Sequence, residues 1–107
     1  MSESIIIFCT APEGEKGKEI AEHLIQKELA ACVNIVPKVQ SVYRWKGVIC
    51  TDAESLLIIK TNKHLFQSIE KEIRRVHPYE VPEIISVDIT DGYKEYLDWI
   101  ENSTVKR

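Results

Sequence analysis

Apolar residues follow two different periods along the first thirty positions of the chain. Residues 5–9 form an apolar, mostly β-branched run that Thr10-Ala11-Pro12 closes, a pattern typical of a buried central strand. Beyond the polar, glycine-containing segment 13–18, apolar positions recur at helical spacing. One face of this segment carries Ile20, Ala21, Leu24, Ile25 and Leu29. The pattern predicts a central strand followed by a surface helix that lies on a sheet.

The middle of the chain predicts a long β-hairpin. Residues 39–45 alternate between apolar and polar positions, as a strand with one solvated face does. Pro37 lacks a backbone donor, so we expect a sheet edge or a bulge there. Lys46-Gly47 marks the turn, and residues from Val48 return into a buried strand at 56–59. Because these arms are longer than a 107-residue domain needs, we expect them to contact other subunits.

The second half repeats the helix–strand pattern. Thr61-Asn62 is expected to cap a helix, and His77-Pro78 to end it, since the residue before proline avoids the helical region. The apolar face of that helix carries Leu65, Phe66, Ile69, Ile73 and Val76. Residues 84–89 then predict a fourth strand, and residues 93–100 a short closing helix.

This order of elements predicts an α+β fold with a single domain over residues 1–107. The expected arrangement is the ferredoxin-like β-α-β-β-α-β sandwich, with an antiparallel sheet, a long β2–β3 hairpin and a short C-terminal helix. The first and third strands then lie in the centre of the sheet, and both main helices cover one face. We expect the closing helix and a neighbouring subunit to cover the other face.

Charge and cysteine usage exclude several classes of partner. The net charge is −3 without a basic stripe, so we expect no nucleic-acid partner. Residues 1–4 carry no positive charge, and the longest apolar run is far too short to span a bilayer, so we expect no membrane partner. Cys9, Cys32 and Cys50 are odd in number and widely spaced, which predicts reduced thiols and a cytoplasmic location.

Chain tracing brings one cysteine and one histidine to the same end of the predicted sheet. Cys9 ends the first strand and His77 ends the second helix, 68 positions later. A thiolate and an imidazole can hold copper or zinc, with a third ligand from Tyr79, Glu80 or Glu83 or from another subunit. The alternative is that Cys9 is a small buried apolar residue and that His77 bonds to backbone carbonyls. Both interpretations stay open.

Motifs of the enzymes and cofactor proteins that share this topology are missing from the sequence. There is no C-x-x-C in the first loop, no cysteine cluster for iron–sulfur, no aromatic on the third strand and no glycine-rich phosphate loop. We therefore predict a binding protein and not an enzyme. Tyr43 and Trp45 on the hairpin are expected to anchor a subunit interface, or else to line a ligand cleft.

Five segments, in register along nearly the whole chain, resemble the CutA family of divalent-cation-tolerance proteins. These segments are Cys9-Thr10-Ala11-Pro12, residues 29–34, residues 41–47, Glu54 with residues 57–61, and residues 77–84. The resemblance implies a ferredoxin-like subunit of a homotrimer in which long hairpins join sheets of different subunits. It also implies a cytoplasmic protein associated with tolerance to copper and other divalent metals.

The resemblance also implies copper ligands. In the family these are the cysteine of the first-strand motif and two adjacent histidines before a Pro-Tyr pair, which here correspond to Cys9 and His77. Val76 stands where the other histidine is expected. Two hypotheses follow. One is a metal-binding trimer that takes part in metal-ion response; the other is a trimeric sensor or scaffold, similar to PII signalling proteins, that binds a small molecule or protein.

Overall fold

A computed structural model describes residues 3–106 of the chain, so Met1, Ser2 and Arg107 lie outside it. The prediction that residues 1–4 carry no positive charge typical of a membrane-directed segment therefore lies partly outside the described residues. The same holds for the two ends of the predicted 1–107 domain. The described elements are β1 Ser4–Pro12, α1 Glu15–Gln26, β2 Cys32–Trp45, β3 Val48–Asn62, a 3₁₀ turn Lys63–Leu65, α2 Phe66–Val76, β4 Ile85–Asp88 and α3 Lys94–Asn102. Their order is the predicted one, including the short C-terminal helix.

The four strands form one antiparallel sheet in the order β2-β3-β1-β4. The first and third strands are therefore central, as predicted, and the α+β ferredoxin-like class is confirmed. β1 pairs along its full length with the second part of β3, from Ser4 opposite Asn62 to Pro12 opposite Glu54. Since side chains alternate between the two faces of a strand, this register decides which residues meet the helices.

The core lies between one face of the sheet and helices α1 and α2. Odd-numbered residues of β1, including Ile5, Ile7 and Cys9, are fully buried on this face. They pack with apolar residues of both helices and of β3, namely Ile20, Leu24, Leu57, Ile59, Ile69 and Ile73. Burying one such aliphatic side chain contributes roughly 1.5–3 kcal/mol to folding. This face therefore supplies most of the apolar burial that holds the fold together.

Helix α1 ends earlier than its apolar pattern suggested. Gln26 is its last residue, and Glu28 follows with a positive φ of 57° that turns the chain. Leu29 thus reaches the core from the turn after the helix, while Ile25 remains 41% exposed. The apolar spacing predicted the helix correctly, but it placed Ile25 and Leu29 on a buried helical face that ends before them.

The predicted cap at Thr61-Asn62 is wrong. Both residues end β3, and neither side chain caps a helix. The Thr61 hydroxyl donates to the buried carbonyl oxygen of Leu29 at 2.6 Å, and the Asn62 amide donates to the Thr104 hydroxyl at 2.8 Å. These side chains tie β3 to distant parts of the chain, so they are not available to the helix that follows.

His23 falls on the polar face of the first helix, which predicts a solvated surface residue, but its side chain is 27% exposed and has a partner on α2. Its Nε2 lies 2.6 Å from a carboxylate oxygen of Glu72, which connects α1 to α2. Arg75 donates to the same oxygen at 2.8 Å. The hydrogen bonds from Arg75 and His23 lower the pKa of Glu72 to about 2.

The β2–β3 hairpin is long and kinked. A bulge between Val36 and Val39 contains Pro37, and β2 is an edge strand, in agreement with both expectations for that proline. Lys46 and Gly47 form the two-residue turn with positive φ angles of 51° and 81°, a conformation that glycine adopts without strain. Strands of 14 and 15 residues, at about 3.3 Å per residue, account for the 44 Å length of the molecule.

The opposite face of the sheet is only partly covered. Helix α3 packs against β1 and β3, and burial with a smaller contribution from Cys32 raises the pKa of Tyr96. Ile85 and Val87 of β4 stay 55% and 48% exposed beside it. Within residues 3–106, none of the helices is long and apolar enough to cross a membrane.

Candidate functional site

Cys9 lies inside the core. It pairs with Leu57 across the sheet, points toward the helices and has no exposed surface. Burial, with smaller contributions from the Glu83 and Glu54 carboxylates, raises the pKa of the Cys9 thiol to about 12. Because the thiolate is the form that binds metals, this environment opposes coordination.

His77 connects the end of α2 to the end of β1. Its imidazole is 8% exposed, and Nε2 lies 2.8 Å from the carbonyl oxygen of Thr10. The backbone N–H of Tyr79 donates to Nδ1 at 3.1 Å. These two bonds assign the neutral ring with its proton on Nε2, which donates to Thr10. The expectation that His77 reaches the end of β1 beside Cys9 is confirmed.

The donor groups at this end of the sheet do not fit a copper ion in this conformation. The Cys9 thiol is enclosed, both His77 nitrogens have partners, and Val76 packs against the core. Over residues 3–106, no group of three or more His, Cys, Asp or Glu side chains is placed to hold a metal ion. These contacts match the packing interpretation of the pair, and copper coordination stays a prediction.

A cleft of about 700 Å³ opens close to His77, between the hairpin and residues 79–83. Its side chains come from the ends of β1 and β3, from β2 and from the connector after α2. They are Thr10, Ser41, Val42, Tyr43, Trp45, Asp52, Glu54, Tyr79, Glu80, Val81, Pro82 and Glu83. Thr10 and Glu54 alternate with the core positions of their strands, so this cleft lies on the sheet face opposite Cys9.

Two tyrosine–carboxylate pairs shape the walls of the cleft. The Tyr79 hydroxyl donates to Glu54 at 2.6 Å, and the Tyr43 hydroxyl donates to Asp52. Burial and the bond to Glu54 raise the pKa of Tyr79, and the bond to Asp52 raises that of Tyr43 to about 12. The His77 ring lies 4.6 Å from the Tyr79 ring, so His77 holds in place the tyrosine that contacts Glu54.

Tyr43 and Trp45 both line the cleft while keeping 41% and 44% of their surface exposed. Lys46 places its ammonium 5.9 Å from the centre of the Trp45 ring. The position of both rings is compatible with either role expected from the sequence, a wall of a ligand cleft or an anchor of a subunit interface. The interface role stays a prediction.

Sequence reasoning missed Asp52 and Glu54 as members of this site. The signal was the two-residue turn at Lys46-Gly47, which pairs Trp45 with Val48. Counting back from this pair places Ser41 opposite Asp52 and Val39 opposite Glu54. With side-chain alternation, the two carboxylates and both aromatic residues then share one face of the hairpin.

Comparison with known proteins assigns the chain to a family. A family model described as CutA1 divalent ion tolerance protein matches residues 5–103. The chain belongs to this family. The divalent-cation tolerance protein CutA of Thermus thermophilus is 43% identical to this CutA1-family chain over 99 residues, which are 92% of the chain and 96% of that protein.

Further relatives extend the likeness to plants and to crystal structures. The protein CutA, chloroplastic, of Arabidopsis thaliana is 46% identical over 94% of the chain, which spans only 56% of the length of that relative. The crystal structure of CutA1 from Oryza sativa superposes with a TM-score of 0.95 at 46% identity, covering 97% of this chain and 95% of the other. The chain thus shares the CutA1 fold and its membership of the CutA1 divalent ion tolerance family with these relatives.

Proposed function

We propose that this CutA1-family chain is a non-catalytic subunit of a homotrimer that takes part in the response to divalent cations. Its working site is the cleft between the hairpin and residues 79–83, which binds a small molecule. The contrast between this open aromatic cleft and the enclosed Cys9–His77 pair carries the proposal. Copper binding at that pair, the other hypothesis from the sequence, has the weaker support because neither donor is free.

Exposed apolar surface supports assembly with two other copies of the chain. Val42 and Ile49 on the outer arms of the hairpin are each 66% exposed. Ile85, Val87 and Trp99 add exposed apolar surface on the sheet face opposite the core. Exposed apolar surface beyond a few scattered residues is typical of an interface. A second and third copy of the same chain are the expected occupants, because a closed symmetric ring buries the same patch on every subunit.

We also propose a cytoplasmic location. The three cysteines are free, and proteins of reducing compartments keep their thiols in this form. A fluorescent fusion or cell fractionation in the native host tests the location, and recovery in an organelle or outside the cell membrane would contradict it.

Growth under metal stress tests the proposed site. A host that lacks its own gene of this family receives the native chain, Ser41→Trp or Cys9→Ala and is grown with rising concentrations of copper. Ser41→Trp fills the cleft from one wall and is expected to lose tolerance, whereas Cys9→Ala is expected to keep it. Ser68→Trp, the same substitution on the exposed surface of α2, is the control. Loss of tolerance in Cys9→Ala with retention in Ser41→Trp would reject the cleft as the working site.

Light scattering on the purified protein tests the trimer. We expect a mass of three chains for the native protein and a smaller mass for Ile49→Lys, which places a charge on the exposed hairpin. Ser68→Lys adds the same charge to an exposed helix position and is expected to leave the trimer intact. A native monomer at micromolar concentration would contradict the proposed assembly.

A further inference from the structure

The charges around the cleft all have one sign. Asp52, Glu54, Glu80 and Glu83 line it, and no lysine, arginine or histidine is among the lining residues described. None of the ion pairs found within residues 3–106 involves any of these four carboxylates. The cleft is therefore lined by carboxylates that form no ion pair in the described subunit, and the Lys46 ammonium near its rim lies over the Trp45 ring and not beside a carboxylate.

Glu54 is the most enclosed of these four carboxylates. The residue is only 7% exposed, and its one observed side-chain partner is the neutral Tyr79 hydroxyl. A buried carboxylate is stabilised best by an opposite charge, and without one it keeps a large desolvation cost. Glu54 also contributes to raising the pKa of both Cys9 and Tyr79, so its negative field extends through the walls of the cleft.

The composition of the walls narrows the ligand class. An anionic nucleotide or phosphate ester lacks a basic partner in this cleft. A bare metal ion lacks a converging set of three donors anywhere in the described part of the chain. The rings of Tyr43, Trp45 and Tyr79 instead offer flat apolar surface and a negative face to a cation. A volume of about 700 Å³ is in the range of sites for small organic molecules.

We infer that the cleft binds a small organic cation, an amine or guanidinium carried on an apolar body, with its charge beside Glu54 and its body against Tyr43 and Trp45. This inference rests on the proposed function, because it names the ligand class of the same cleft.

Three probes with the same phenethyl body and different charge test the inference on the intact protein. Phenethylamine, phenethyl alcohol and hydrocinnamate each carry one phenyl ring with a cationic, neutral or anionic end. Calorimetry, with backbone-amide NMR to locate the contact, is expected to give saturable binding of phenethylamine at the cleft. The neutral probe should bind at least about tenfold more weakly, and the anion more weakly still. Equal affinity for all three probes, or no saturable binding of the amine, would overturn the inference.

Matched variants attribute the selectivity to charge. Glu54→Gln keeps an acceptor for Tyr79 but removes the charge, and should weaken amine binding about tenfold. Glu80→Gln, at an exposed wall position, should weaken it about threefold even if Glu54→Gln folds poorly. Glu22→Gln on the exposed surface of α1 is the control and should change nothing. Unchanged amine affinity in both cleft variants would reject the assignment.

The proposed function and the ligand class fail in different ways. If the trimer forms and Ser41→Trp abolishes metal tolerance, but the cleft prefers the anionic probe, the function stands and the cationic ligand is wrong. If the amine binds with the expected selectivity while Ser41→Trp leaves tolerance intact, the cation site stands and its role in tolerance is wrong.

Discussion

Replacing His77 with alanine distinguishes a structural histidine from a metal ligand. In the native protein the ring is 8% exposed, bonds to the Thr10 carbonyl at 2.8 Å and accepts the Tyr79 N–H at 3.1 Å. Each hydrogen bond contributes about 0.5–1.5 kcal/mol, and a partner left buried and unpaired costs about 1–3 kcal/mol. Allowing for partial solvation of the vacated space, we expect His77→Ala to lower the free energy of unfolding by about 2–4 kcal/mol.

Urea unfolding with a chelator present measures this effect in metal-free protein. All samples need the same chain concentration, because unfolding of an oligomer depends on it. His64→Ala is the matched control, since His64 is exposed and reaches only the Val105 carbonyl oxygen at 3.2 Å. We expect this control to change stability by less than about 0.5 kcal/mol.

A different result follows if His77 serves mainly as a metal ligand. Removing a ligand from metal-free protein takes away no native bond, and the loss of stability appears only when the metal is added. A change within about 0.5 kcal/mol for His77→Ala in chelator would therefore refute the structural role.

Three further predictions follow from contacts elsewhere in the fold. The lowered pKa of Glu72 stabilises the native protein above the ordinary value of 4.5, and this contribution is lost as pH falls toward about 2. Glu72→Gln should therefore have a lower free energy of unfolding at neutral pH, and this free energy should fall less steeply than in the native protein as the pH is lowered. Urea unfolding at a series of pH values measures both, and the same pH dependence as the native protein would contradict the prediction. Thr61→Val should lower the free energy of unfolding by about 1–2 kcal/mol, because the Leu29 carbonyl loses its hydrogen bond, whereas Thr61→Ser keeps the hydroxyl. Equal stability of the two variants in urea unfolding would disprove the role of that bond. Iodoacetamide should modify Cys9 only when the protein unfolds, as followed by peptide mass spectrometry, and fast modification of the native protein would show that the thiol is accessible.

The fold was largely predictable because local patterns determine it. The β-branched run at 5–9, the helical spacing from Ile20 and the two-residue turn at Lys46-Gly47 each act over a few residues. The errors involve long-range partners. Thr61 donates to Leu29 across 32 positions, and His23 meets Glu72 across 49, so local sequence carried no sign of either contact.

The candidate site was predictable only in part. Tracing the elements placed Cys9 and His77 at one end, which the Thr10–His77 hydrogen bond confirms. It did not show that Cys9 points into the core, because the inward face of β1 depends on its register with β3. The partners of both His77 nitrogens depend equally on how residues 77–79 fold back over the end of β1.

Copper titration by calorimetry, in native protein and in Cys9→Ala, tests most directly whether the Cys9–His77 pair is a metal site. Light scattering on both samples first establishes that they share one oligomeric state. We predict the same weak binding in both, with a Kd no tighter than about 1 μM, a level that scattered surface donors can supply. Tight binding of one copper per chain in the native protein, lost in Cys9→Ala, would contradict the account. It would instead support copper binding at Cys9 and His77 as the function of the protein.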